Sequence, residues 1–236
     1  MSFIKRNTPN AITCLNLLCG CIALVYISYD ALYIASWFVV AAAVADFFDG
    51  LAARALKVNS PIGKELDSLA DVVSFGVVPG MMLFRLIHLP IFCWIGLAVP
   101  VFAAIRLAKF NIDERQTTYF IGLPSPASAL FIISFPLIIN YHDFWLLFYK
   151  ANAGLCAYIF SAVAIICSAL MVWPVRLFSM KMKDMSWKNN KTRYVFVILS
   201  VIALVTLAYQ ALPVIMLLYV VLSVVENQMT DSSAAA

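Results

Sequence analysis

The stretch DFFDGLAARALKVNSPIGKELDSLAD, residues 46–71, places four aspartates in a chain that is otherwise strongly apolar. Asp46 and Asp49 stand three residues apart, and Asp67 and Asp71 stand four apart, so on helices each pair shares one face. The turn-forming residues NSPIG lie between the two pairs and allow the chain to reverse. The sequence therefore predicts that the four carboxylates meet.

Four clustered carboxylates repel one another at neutral pH, and bound cations relieve that repulsion. Oxygen ligands suit Mg²⁺, Mn²⁺ or Ca²⁺ better than zinc or copper, and the stretch contains no histidine or cysteine. The pattern thus indicates a divalent metal site. The alternative to a metal site is that these are ordinary acids at the membrane interface, balanced by Arg54, Lys57 and Lys64. This interpretation is adequate for either pair of aspartates taken alone.

The composition indicates an integral membrane protein. The 236 residues are 64% hydrophobic and only 12% charged, whereas charged residues make up about a quarter of soluble domains. We expect an all-α polytopic bundle of about eight transmembrane helices, forming one membrane-embedded domain over 1–228, with a disordered tail over 229–236. The apolar runs place the spans near 11–29, 32–56, 67–89, 91–110, 124–142, 153–173, 194–211 and 213–228, with a tight hairpin at Pro213.

The basic residues predict the orientation. With the N-terminus inside, all sixteen lysines and arginines except Arg85 and Lys150 fall on the cytoplasmic side. Both termini and the acidic stretch are then cytoplasmic, and the inner membrane is the expected location. The first apolar run lacks a cleavage site and is predicted to be a retained span. All six cysteines lie in apolar runs, which does not indicate a disulfide framework.

The acidic stretch fits a longer frame, D-x-x-D-G-x-x-A-R-x8-G-x3-D-x3-D, over residues 46–71. This frame resembles the signature of the CDP-alcohol phosphotransferase family without departure. The resemblance implies a site for Mg²⁺ or Mn²⁺, with two metal ions, held by Asp46, Asp49, Asp67 and Asp71. It also implies that Asp71 is the catalytic base that deprotonates the acceptor alcohol.

The same resemblance implies a binding site for the nucleotide of a CDP-linked lipid. Gly50 and Ala53 are small enough for a nucleotide to lie against their helix, and the planar fork of Arg54 suits a diphosphate. The family pattern also implicates Pro9, Asn10, Thr13, Ser60 and Gly63. For Thr13, a hydrogen bond to its own helix backbone is an equal alternative.

Four further segments resemble the phosphatidylserine synthase branch of this family: NTPNAITCLNLLCG at 7–20, DSLADVVSFGVVP at 67–79, RLAKFN at 106–111 and GLPSPA at 122–127. The resemblance implies a homodimer that transfers a phosphatidyl group from CDP-diacylglycerol to L-serine. The serine carboxylate needs a cation, which Arg106 and Lys109 are placed to supply, with Asn111 adding a hydrogen bond. The alternative for Arg106 and Lys109 is that they are ordinary membrane-boundary anchors.

Two other functions stay open at this point. A sister enzyme that uses glycerol 3-phosphate or inositol phosphate would also favour cations in the acceptor site. A membrane cation transporter would explain intramembrane acids, but it does not explain the Gly50, Ala53, Arg54 and Gly63 frame. We expect CDP-diacylglycerol, L-serine and membrane lipid as partners, and no nucleic acid.

Overall fold

A computed structural model describes residues 3–57, 61–112, 119–178 and 190–234. Within these ranges the chain is helical apart from two short strands, which confirms the predicted all-α membrane bundle. The elements are α1 Phe3–Ser28, α2 Leu32–Leu56, α3 Pro61–Asp71, a π-helical segment Val72–Val77, α4 Val78–Leu86, a 3-10 segment Phe92–Leu97, α5 Ala98–Ile112, β1 Tyr119–Ile121, α6 Ser125–Tyr141, α7 Asp143–Ala151, α8 Ala153–Val172, β2 Arg176–Phe178, α9 Lys191–Leu207, a 3-10 turn Ala208–Gln210 and α10 Ala211–Ala234.

Six helical segments of the described chain are long and apolar enough to cross a membrane, and the bent pair α6 and α7 would make a seventh. The six are Asn7–Ser28, Leu32–Leu56, Pro61–Leu86, Phe92–Ile112, Ala153–Val172 and Lys191–Gln228. The last segment folds back on itself, because Arg193 Nη1 near its start lies 3.5 Å from Glu226 Oε1 near its end. α9 and α10 therefore form a hairpin, and the total of eight crossings stays a prediction.

Three boundaries differ from the sequence prediction. The turn of the last hairpin lies at Ala208, whose φ is 49°, while Pro213 lies in the first turn of α10, where proline fits. The tail predicted to be disordered is helical as far as Ala234, because a helix propagates by one hydrogen bond per residue beyond its apolar part. α1 begins at Phe3, so Pro9 lies inside the helix and not before it.

The bundle packs through small and fully buried side chains. Ala23 of α1 and Ala35 and Ala42 of α2 have no exposed surface, and they belong to one apolar cluster with Phe75 and Met82. Small residues at helix contacts let membrane helices approach closely. This packing fixes α1 and α2 against the helix that carries the second aspartate pair.

The two strands and α7 were not predicted from the sequence. β1 pairs antiparallel with β2, with Phe120 opposite Leu177, and this ladder ties the chain after α5 to the chain after α8. α7 is bent by 101° from α6 and has no buried residue. Its exposed Phe144, Trp145 and Leu147 suit a helix that lies along a membrane surface.

Candidate active site

The structure brings together three of the four predicted metal ligands. Asp46 and Asp49 come from α2 and Asp67 comes from α3, and one carboxylate oxygen of each lies within 4.8 Å of the others. Asp49 is buried, while Asp46 and Asp67 are half-buried. The helical spacing of each pair puts its carboxylates on the face where the two helices meet.

Asp71 lies at the edge of this group, at the last residue of α3. Its side chain is buried, and it interacts electrostatically with Asp46, with Asp67 and with the cation of Arg106. Its Oδ1 accepts a hydrogen bond from Asn16 Nδ2 at 3.2 Å. Asp71 therefore lies one turn after Asp67 on α3 and contacts α1 through Asn16.

The neighbouring helix α1 orients the acidic group. Thr13 is buried, and its Oγ1 lies 2.6 Å from Asp49 Oδ2 and 3.1 Å from the carbonyl oxygen of Pro9. The helix-backbone contact that the sequence suggested is present. The contact with Asp49 was not foreseen, and it makes Thr13 a partner of a metal-ligand candidate.

The donor set fits a divalent cation. The group offers oxygen atoms alone, which is the ligand type that Mg²⁺ and Mn²⁺ prefer. Asp67 Oδ1 is buried without a hydrogen-bond partner among the described residues. The ion pairs seen in the same ranges, Arg85 with Asp30 and Arg193 with Glu226, involve other acids. The unbalanced negative charge and the orphaned oxygen both suit a bound metal ion.

Among the predicted nucleotide residues, Gly50 lies beside open space on α2. A Cβ atom built on Gly50 would meet nothing within 4 Å among the described residues, so none of these neighbours requires glycine there. Arg54 is exposed, and its Nε donates to the carbonyl oxygen of Gly50 at 2.9 Å. Ala53, Asn10 and Gly63 are half-buried and Pro9 is buried, whereas Ser60 lies outside the described residues.

The three predicted acceptor residues have different surroundings. Arg106 is buried, and its Nη1 donates to Ser125 Oγ at 3.0 Å. Lys109, one turn further along α5, is exposed. Asn111 holds α5 against α3, since its Nδ2 donates to Ser68 Oγ at 2.8 Å. Arg106 is thus the cation that this part of the chain brings to the site.

From the sequence, Ser74 and Ser125 have no predicted role, and Asn16 is expected to face either another helix or the nucleotide. All three residues are fully buried. Ser74 Oγ donates to the backbone carbonyl of Asn16 at 3.1 Å, and Ser125 accepts from Arg106. The sequence signal that could have identified them is a polar residue inside an apolar run. Such a residue is energetically costly in a membrane unless its side chain has a hydrogen-bond partner.

The family model for CDP-alcohol phosphatidyltransferases matches residues 6–162, a range that includes all of these site residues. The chain belongs to the CDP-alcohol phosphatidyltransferase family. It is accordingly a membrane-embedded transferase of phospholipid biosynthesis.

Relatives named CDP-diacylglycerol–serine O-phosphatidyltransferase resemble the chain. The protein of Helicobacter pylori (strain 26695) is 32% identical over 223 residues, which cover 92% of this chain and 89% of that protein. The Bacillus subtilis protein is 40% identical over 130 residues, covering 53% and 72%. The Methanocaldococcus jannaschii protein is 38% identical over 136 residues, covering 55% and 60%.

Proposed function

We propose that the chain transfers the phosphatidyl group of CDP-diacylglycerol to L-serine, forming phosphatidylserine and CMP with the help of Mg²⁺ or Mn²⁺. The observation that carries the proposal is the buried Arg106 guanidinium on α5, the helix that Asn111 holds against α3 through Ser68. The names of the relatives point to the same substrates.

Asp46, Asp49, Asp67 and Asp71 would hold the metal ions. When bound, a divalent cation offsets the charge of the diphosphate and stabilises the departing CMP. The nucleotide would lie in the space over Gly50 and Ala53, near Pro9, Asn10, Thr13, Ser60 and Gly63. Arg54 would exchange its contact with the Gly50 carbonyl for one with the diphosphate.

In the transfer step, the serine hydroxyl oxygen forms a bond to the phosphorus atom while the bond from phosphorus to the CMP oxygen breaks. The hydroxyl proton moves to the Asp71 carboxylate. A hydroxyl is a weak acid, so this base acts as the oxygen attacks and not before. Arg106 binds the serine carboxylate, and the exposed Lys109 attracts serine to the entrance beside Asn111.

The test of the acceptor is CMP release by purified protein supplied with CDP-diacylglycerol. L-Serine should support release, and glycerol 3-phosphate, inositol phosphate and choline should support much less. Arg106→Ala should lower serine usage about ten- to a hundredfold because a charge-assisted contact is lost, while binding of CDP-diacylglycerol stays largely intact. Arg85→Ala is the control, since Arg85 pairs with Asp30 away from the site. Preference for glycerol 3-phosphate would assign the chain to a sister enzyme.

The test of the metal is chelation. Excess EDTA should abolish CMP release, and Mg²⁺ or Mn²⁺ should restore it. Asp71→Asn should keep CDP-lipid binding better than Asp46→Asn, because it removes the base while Asp46, Asp49 and Asp67 still offer their oxygens. Full turnover in EDTA would refute the metal dependence, and equal loss of binding in both variants would refute the separate role of Asp71.

We further propose that the enzyme resides in the inner membrane, with this site at the cytoplasmic face, and that it forms a homodimer. The placement rests on the distribution of basic residues.

The proposed homodimer is tested by native mass spectrometry in mild detergent, which should show a dimer. A monomer at working concentration would exclude it.

A further inference from the structure

Asn16 of α1 lies beside the proposed base, and one of its two polar side-chain atoms has a hydrogen-bond partner while the other has none among the described residues. Its side chain is fully buried, and Nδ2 donates to Asp71 Oδ1 at 3.2 Å. An ionised carboxylate only accepts hydrogen bonds, so the amide nitrogen must face Asp71. The amide oxygen Oδ1 is then left buried without a hydrogen-bond partner among the described residues.

The backbone around Asn16 is fixed, so the side chain cannot withdraw easily. Ser74 Oγ donates to the Asn16 carbonyl at 3.1 Å, and Gly20, one turn further along α1, permits this close approach. A Cβ atom on Gly20 would lie 2.5 Å from Ser74 Oγ. The orphaned oxygen is therefore held in place next to Asp71.

Arg106 of α5 has a second buried atom without a hydrogen-bond partner, and this atom is a donor. Arg106 Nε is buried without a partner in the same set of residues, although Nη1 of the same guanidinium is bonded to Ser125. Buried polar atoms normally have partners, so each unsatisfied atom calls for a ligand atom of the opposite kind. The site thus presents one free acceptor, one free donor and a base.

A zwitterionic amino acid with a β-hydroxyl group matches these three atoms. With its hydroxyl at Asp71 and its carboxylate at Arg106, the remaining polar group is the α-ammonium, which is bonded to the carbon next to the hydroxyl-bearing carbon. Asn16 Oδ1 belongs to the side chain that already contacts Asp71. The ammonium therefore lies within reach of that oxygen.

We propose that Asn16 determines specificity for an amino-acid acceptor by accepting a hydrogen bond from the substrate's α-ammonium group at Oδ1. This inference rests on serine as the acceptor. It adds a contact that selects serine over hydroxy acids that lack the amino group, since such an acid leaves Asn16 Oδ1 buried without a hydrogen-bond partner.

The experiment compares L-serine with 3-hydroxypropanoate, which has the same hydroxyl and carboxylate but no ammonium. The readout is the ratio of the two kcat/KM values. Asn16→Leu and Asn16→Ala should reduce the preference for serine about ten- to a hundredfold. Asn16→Asp should keep the preference, because it retains an acceptor oxygen. Its kcat should fall with both L-serine and 3-hydroxypropanoate, because a second carboxylate then lies beside Asp71.

Cys19→Ala is the control, because Cys19 is a buried packing residue of α1. Where a variant turns over too slowly, thermal stabilisation of the protein by each acid gives the ratio of the two dissociation constants, which should shift in the same direction. An unchanged preference in Asn16→Leu and Asn16→Ala would overturn the inference and would show that Asn16 serves Asp71 alone. If the unaltered protein does not use serine, the proposed function fails and this inference fails with it.

Discussion

Thr13 and Asn16 bring uncharged polar side chains of α1 into contact with the acidic site. The two residues lie three apart on α1 and so share one face, where Thr13 contacts Asp49 and Asn16 contacts Asp71. Each hydroxyl or amide hydrogen is donated to a carboxylate oxygen. α1 thus orients one carboxylate of each predicted pair.

At the residue scale, Thr13→Val tests this orientation. Valine keeps the shape and removes the donor to Asp49 Oδ2, so the Mg²⁺ concentration for half-maximal CMP release should rise about tenfold, as when outer partners of metal ligands are lost. The control is Thr206→Val, since Thr206 bonds to its own helix at the Ile202 carbonyl. An unchanged Mg²⁺ requirement would contradict the role.

Ser125→Ala tests the support of Arg106. Without Ser125 Oγ the buried guanidinium loses its described partner, and the KM for serine should rise about fivefold while the KM for CDP-diacylglycerol is unchanged. Ser134→Ala is the matched control on α6, because Ser134 is equally buried but bonds to the Phe131 carbonyl. Equal effects of the two variants would mean that Ser125 is only a packing residue.

At the scale of the helix, glycines that look alike in the sequence have different surroundings. Gly20 is required by the close approach of Ser74, whereas Gly50 and Gly154 have nothing within 4 Å of a built Cβ. Packing therefore explains Gly20 and does not explain Gly50. The open space beside Gly50 is what a bound nucleotide would need.

Gly50→Leu and Gly154→Leu form a matched pair. Leucine favours a helix more than glycine does, so neither change should lower the melting temperature. Gly50→Leu should raise the KM for CDP-diacylglycerol at least tenfold by filling the nucleotide space, and Gly154→Leu should leave it unchanged. Normal kinetics of Gly50→Leu would place the nucleotide elsewhere.

The helix that carries the second aspartate pair changes its winding directly after Asp71. The π-helical segment Val72–Val77 joins α3 to α4 and contains Ser74, the partner of Asn16. π turns occur frequently at functional sites. The apolar pattern of these residues gives no sign of the change, because α- and π-helical turns bury the same kinds of side chain.

At the scale of the whole molecule, orientation in the membrane can be tested with a membrane-impermeant maleimide. Glu65 on α3 and His88 after α4 are exposed and lie at opposite ends of one spanning segment. Glu65→Cys should be labelled in inside-out vesicles and His88→Cys in intact spheroplasts. The unaltered protein gives the background, since its six cysteines lie in helices or helical turns of the spanning segments. The reverse labelling would place the acidic group outside.

Local patterns in the sequence predict the class of the protein, the metal-ligand candidates and the position of most helices. Long apolar runs must become helices in a membrane, since no water satisfies their backbone groups. The frame around Asp46 and Asp71 identified the family because its spacing is local and fixed.

Which distant side chains meet depends on the tertiary structure and does not follow from local patterns. Asn16 and Asp71 are fifty-five residues apart, and Arg106 and Ser125 come from different helices. Lys109 is exposed and Arg106 is buried, although they lie one turn apart on α5. Such pairings depend on how the helices rotate against one another, and that rotation is set by the packing of many small buried residues together, which no single motif encodes.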